Sequence, residues 1–454
     1  MKKVLFIILF LLVTKYCEPA FVAGIVFEYR TTGALTNSGC YLTGATGTDY
    51  SQQDASHQDY TDLVIGAVVT TNLTSVIAPF AADDVGNCIR ITGGTGFTTG
   101  LYYVVSVAAT IATVDKSVGT AGSTGGAGSL GGAISNFVDA DLETQTTGNI
   151  NHIKAGTYTT VADVNVTSLS GTGLSPIKFI GYNAARNDKP EGDNRPLIAA
   201  GENKFALPDF SYLYYLRFTT TASSGIESGR NSLIIFSKST NSSGTANRNG
   251  FSAETLSRIL FSEAISTNGN GIRNPSGSTL IYANYLHDSV DCIEFGSLAD
   301  NIVGNIIDTC TNGINASVSG VGIIGNTFYN HTNGIQLTAG GTTTVNNIFN
   351  TCTTGFTSSI PSTGDYLDWN NWNNNGTDVN GVTKGDNETA GAPGFDDAAA
   401  GDFDIATTLR QTASPYPSSL QGLTLSQSYA DPGSQQRSES TGGTNAIGAL
   451  GIAY

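Results

Sequence analysis

Charge is scarce in this chain. Asp, Glu, Lys and Arg make up 13% of 454 residues, and the acids outnumber the bases 37 to 21, a formal charge of −16. So negative a field repels a polyanion and excludes nucleic acid as an expected partner. Methionine (1) and tryptophan (2) are rare, and no stretch beyond the amino terminus is long and apolar enough to span a bilayer as a helix. Uninterrupted helix formers are missing as well: Gly (55), with abundant Asn, Thr and Ser, breaks the windows a helical bundle needs. What disfavours helix here favours short strands closed by turns.

At the amino terminus Lys2 and Lys3 precede an apolar run from Val4 to Val13. This matches the charged and apolar regions of a secretory signal, so residues 1–23 read as a signal peptide, with Ala20 and Ala23 as candidate cleavage positions. The expected location is secreted or cell surface, with membrane contact only through that signal. Export permits disulfides. Cys40 and Cys88 can pair, while Cys292, Cys310 and Cys352 fall inside the repeats described next.

Asn284, Asn305, Asn326 and Asn347 are separated by 305−284, 326−305 and 347−326, each equal to 21. Two places on, Ile265, Leu286, Ile307, Phe328 and Phe349 keep that interval, and so do Phe251, Ile272, Ile293, Ile314, Ile335 and Phe356, usually behind a Gly. Three columns in one register signal a solenoid. Leucines at leucine-rich offsets are absent, and β-favouring runs such as "LIIF" and "TVNNIF" between Gly and Asn turns fit strands, one coil per repeat. Each column is then a ladder: Asn bonding along the stack, Ile, Leu and Phe filling the core, and Gly at a corner.

These coils, the entry "HIKAGTYTTV … SPIKFIGYNAARNDKPEGDNRPLI" and the close "GAPGFDDAAAGDFDI" resemble right-handed parallel β-helix proteins of the pectate-lyase-like superfamily, of exported bacterial or phage and viral type. The resemblance implies an exported protein that binds polysaccharide and depolymerises it as a lyase or glycoside hydrolase. Its noncatalytic members imply the alternative, an adhesive or structural subunit of a filament, spike or surface appendage that assembles as a homo-oligomer.

The expected layout is a small β-barrel or sandwich module at 24–135, a parallel β-helix at 136–405 and a cap or tail at 406–454. Within the module, "IVFEYRTTG" reads as a strand joining or capping the first coil, and "GTAGSTGGAGSLGGAIS" (119–135) as a Gly-rich flexible connector. "DYLDWNNWNNNGTDVNG" breaks the register after the last coil, and its Trp369 and Trp372 read as closing the core or as a sugar-stacking platform.

Residues following the Gly-apolar pair should face outward, a column of Arg273, Glu294, Asn315, Gln336 and Thr357. Arg273 and Glu294, about 5 Å apart on adjacent coils, are either an exposed ion pair or a site in which Arg273 holds a uronate and Glu294 gives a proton or binds a cation. In "LHDSVDCIEF", His287 shares a column with Asp308 (308−287 = 21), an imidazole beside a carboxylate as acid–base chemistry requires. Asp288, Asp291 and Glu294 crowd the same turn, a set suited to Ca2+ or to a pair of acid–base carboxyls. Asp291 also occupies the column of Asn270, Asn312 and Asn333, where it would be one more polar rung. Cys310, His331 and Cys352 form another column, but two coils, roughly 9.6 Å, are too far for a disulfide or a shared zinc between the two cysteines.

Overall fold

The computed structural model describes residues 24–405 except 137–146, 161, 166–170, 223, 247, 297–299 and 361–363. The expected signal segment and the tail from 406 lie outside the described residues. The chain divides into two compact units, Phe21–Phe218 and the part from Thr219 onward, and the described residues contain strands and short 3-10 turns but no α-helix.

In the first unit, strand Ile25–Tyr29 pairs parallel with Ile150–Lys154 and antiparallel with Cys40–Leu42, so "IVFEYRTTG" does join the first coil. Its Glu28 is fully buried and accepts from Arg30 Nε (2.9 Å), Arg186 Nε (2.8 Å) and the Tyr182 hydroxyl, which compensates the charge taken out of water. Between these strands a closed antiparallel barrel is built from Gln58–Ile65, Asn72–Thr74, Cys88–Gly93, Gly100–Ala108, Ile111–Val114 and Thr124–Leu130, around Leu63, Ile65, Ile89, Val104 and Leu130. Cys40 and Cys88 form a disulfide.

The Gly-rich stretch is not a connector. Thr124–Leu130 is a barrel strand hydrogen-bonded to both Gln58–Ile65 and Cys88–Gly93. A Cβ at Gly126 would lie 2.4 Å from the Phe97 ring and one at Gly128 2.6 Å from the Arg90 carbonyl, so the glycines serve close approach rather than flexibility.

The second unit is a parallel β-solenoid of three sheets. The first runs from Leu233–Ile235 to Tyr366–Asp368, the second from Lys238–Asn241 to Asn371–Asn373, and the third from Ser224–Glu227 to Thr377–Asn380. One left-handed residue turns the chain from first to second sheet in each coil, among them Phe236, Phe261, Ala283 and Asn346, with φ of +50°, +49°, +55° and +59°. The next residue is Ser237 or Ser262 in the earlier coils and the ladder asparagine from Asn284 onward. From Asn305 onward each asparagine Oδ1 accepts the backbone N–H and the amide of the preceding asparagine, as Asn326 does from Asn305 (2.9 and 2.9 Å), Asn284 Oδ1 accepts the Ser262 backbone N–H (2.9 Å), and all these rungs are fully buried. The turn from second to third sheet has its own left-handed column, Asp288, Thr309, Asn330 and Thr351, followed by Ser289, Cys310, His331 and Cys352. There His331 acts as an asparagine would: Nδ1 accepts from Cys310 N (3.1 Å) and Nε2 donates to the Ile307 carbonyl (3.0 Å). Burial pushes its pKa down to about 4, and pushes the free Cys352 thiol up to about 12.

Two register readings are corrected. Ile265 is not in the core column: it pairs with His287 and faces outward, while Ala264 pairs with Leu286 inside, because this coil steps by 22 residues (285−263). "DYLDWNNWNNNGTDVNG" forms a further coil at a step of 23 (370−347) rather than following the last one. Trp372 extends the core stack, lying on Phe349 at 4.3 Å and 6°, as Phe349 lies on Phe328 at 4.7 Å and 3°. Over it, Glu388 accepts from Trp372 Nε1 (2.8 Å) and from the backbone N–H of Asn370 (2.7 Å). The closing stretch forms the hairpin Phe395–Asp397 and Asp402–Ile405, whose buried Phe403 packs on Ile306 between Tyr285 and Tyr329.

Candidate functional site

Strand alternation sends His287 and Asp308 to the outer face of the second sheet as direct cross-strand neighbours. Their hydrogen bonds, however, go elsewhere. His287 Nε2 meets Glu263 Oε1 at 3.1 Å and Nδ1 meets Asp288 Oδ2 at 2.8 Å, while Lys238 Nζ reaches the same Glu263 oxygen at 2.7 Å. The Tyr285 ring stacks on the imidazole at 4.2 Å, and its hydroxyl donates to Asp308 Oδ2 at 3.1 Å; Thr309 Oγ1 donates to Asp308 Oδ1 at 2.5 Å.

Electrostatics separate the members of this cluster. Burial works against the His287 charge, but Glu263 and Asp288 outweigh it and raise the pKa. Burial likewise opposes ionisation of Glu263, yet His287 and Lys238 hold its carboxyl below the usual range. Asp308 goes the other way: burial raises it, despite the bonds from Thr309 and Tyr285. An imidazolium between two carboxylates, beside a carboxyl that resists ionisation, is an arrangement able to donate and accept protons.

Glu263, Tyr285 and Lys238 were not legible as site residues. The 22-residue step hides Glu263, since counting back 21 from Asn284 reaches 263 and assigns it to the asparagine ladder.

The remaining candidates lie on the third sheet. Arg273 pairs with Glu294 in register, Nε to Oε2 3.1 Å, with side chains 49% and 36% exposed, and such a pair contributes about 0–1 kcal/mol. Glu294 also accepts from Asn270 Nδ2 (2.7 Å), and Asp291 accepts from Asn312 (2.7 Å) and Asn315 (2.9 Å), a rung of the polar ladder. Asp288 turns to His287 instead. The three carboxylates expected to crowd one turn therefore have separate partners, and among the described residues no group of three or more His, Cys, Asp or Glu side chains is placed to hold a metal ion.

A disulfide between Cys292 and Cys310 ties the coil of His287 to that of Asp308, and Cys310 lines an open groove of about 550 Å3 along the second-to-third-sheet corner. Asp288 and Thr309 stand in this groove, which continues past Thr311, Asn330, Thr332 and Thr353.

The fold and groove define the class, a parallel β-solenoid with a polar surface groove. No protein-family model and no curated protein sequence matches the chain. Solved structures similar to it include an alginate lyase from Paenibacillus sp. str. FPU-7 (12% identical, covering 56% of this chain and 94% of that one, TM-score 0.40). Pectate lyase Pel9A is 14% identical, covering 71% and 91%, at a TM-score of 0.41, and the catalytic domain of a GH87 alpha-1,3-glucanase is 11% identical, covering 83% and 95%, at 0.28. At these scores no residue role is carried across.

Proposed function

We propose that this is an exported, surface or extracellular protein that binds polysaccharide along the corner groove and cleaves it at the His287 cluster. One observation carries the reading: a buried carboxyl, Asp308, held by Tyr285 and Thr309, neighbours an imidazole clamped between Glu263 and Asp288, and of this cluster Asp288 and Thr309 line the groove. Acid–base groups so arranged contribute about 10²–10⁴-fold to a reaction. Two disulfides support export.

The test is a panel of neutral and uronate-containing polysaccharides, assayed for reducing-end and unsaturated products with and without Ca2+. Asp308→Asn and His287→Gln should each lower the rate at least about 100-fold. No product across the panel, or variants as active as the parent, refutes cleavage. A second reading, a noncatalytic adhesive or structural subunit, is favoured by the saturated Asp291, Glu294, Asn312 and Arg273 network, in which side chains bond one another. Glycan binding without product, with filaments or trimers seen by microscopy, would select it.

A further inference from the structure

The groove differs from the faces beside it in charge. Among the described residues that line it only Asp288 carries one; the rest are hydroxyls, one amide, a valine, a disulfide sulfur and His331, whose imidazole is consumed by backbone bonds. On the second-sheet side the cations are already committed, Lys238 to Glu263 and His287 to Glu263 and Asp288, and Arg248, which precedes Gly269 and Val290 in the wall column, is not among the lining residues. Arg273, on the third sheet, is committed to Glu294. A chain of sugar carboxylates or sulfates would bring one charge per residue to a surface offering only a carboxylate, on a protein of formal charge −16.

The groove is also periodic. Two exposed columns flank its floor, Asp288, Thr309 and Asn330 on one side and Val290, Thr311, Thr332 and Thr353 on the other, repeating at the roughly 4.8 Å coil rise. That rise is comparable to the length of one pyranose unit, so each sugar meets a fresh pair of groups. Hydroxyls both donate and accept, as sugar hydroxyls do.

We infer that the groove takes an uncharged glycan and that Asp288, its one charged residue, discriminates against uronans and sulfated chains. This rests on the polysaccharide reading above and narrows it. Cleavage of such a chain is hydrolysis.

The test is affinity electrophoresis of the full chain through gels containing neutral β-glucan, α-glucan or galactomannan, and through gels containing alginate or polygalacturonate. Retardation by at least one neutral polymer and by neither uronan is expected. Thr332→Lys, an exposed change in the groove wall, should introduce uronan retardation where the parent shows none, with unchanged thermal unfolding showing that the fold is kept. Retardation by a uronan as strong as by any neutral polymer overturns the inference and leaves the polysaccharide reading standing, as does a Thr332→Lys protein that migrates like the parent in every gel. Retardation by no polymer overturns both.

Discussion

Replacing Asn326 by alanine tests the asparagine ladder. Its Oδ1 accepts from Asn305 N and Asn305 Nδ2 (2.9 Å each), and its Nδ2 donates to the Ile302 carbonyl (3.0 Å) and Asn347 Oδ1 (3.1 Å), all without solvent contact. Asn305 Nδ2 keeps the Ile281 carbonyl (3.0 Å), and Asn347 Oδ1 keeps the Asn326 backbone N–H (2.9 Å), but the Asn305 backbone N–H loses its acceptor and the Ile302 carbonyl loses this donor. Each buried polar group left unmade costs about 1–3 kcal/mol, so the expected loss is about 4 kcal/mol. Asn315→Ala, which removes only a half-buried bond to Asp291, should cost about 1 kcal/mol or less. Urea unfolding followed by far-ultraviolet circular dichroism measures both. If the two variants lose the same stability, or Asn326→Ala loses less than about 1 kcal/mol, the ladder is not what fixes the corner.

His287 should titrate above its ordinary 6.5 in nuclear magnetic resonance, and Glu263→Gln should bring it back toward that value. Since the folded value is the higher one, this imidazolium stabilises the fold fully below pH 6.5, a contribution lost as pH rises through the folded value. A thermal midpoint that ignores pH over that window in the parent, or falls equally in Glu263→Gln, contradicts this. Replacing Cys292 and Cys310 together by serine removes an 18-residue cross-link and should lower unfolding free energy by about 3 kcal/mol in urea. An unchanged urea midpoint would show that the corner holds without the cross-link.

The strict 21-residue columns were legible because a single physical demand acts on each ladder position. Asn305 must bond along the stack, Ile314 must fill the core, and Gly313 cannot hold a side chain where a Cβ would come within 2.5 Å of the Gly334 carbonyl. Legibility failed where length changes. A single extra residue put Ile265 in the wrong column, and two extra residues disguised the coil of Trp372 as a cap. It failed again in the Gly-rich stretch, where composition spoke for flexibility and pairing with two neighbours decided otherwise. At the site, the shared column of His287 and Asp308 was readable, but the bonds to Glu263 and Tyr285 were not, since these lie diagonally across coils.

Glu388 occupies the place that a next ladder asparagine would take above Asn370. An amide in that place could receive bonds from below and hand an N–H upward, whereas a carboxyl has no N–H to hand on. The pattern is thus terminated by a change of functional group, a chemical stop codon for stacking. A solenoid finished this way offers a second molecule no N–H from its last rung, which discourages end-to-end fibre growth.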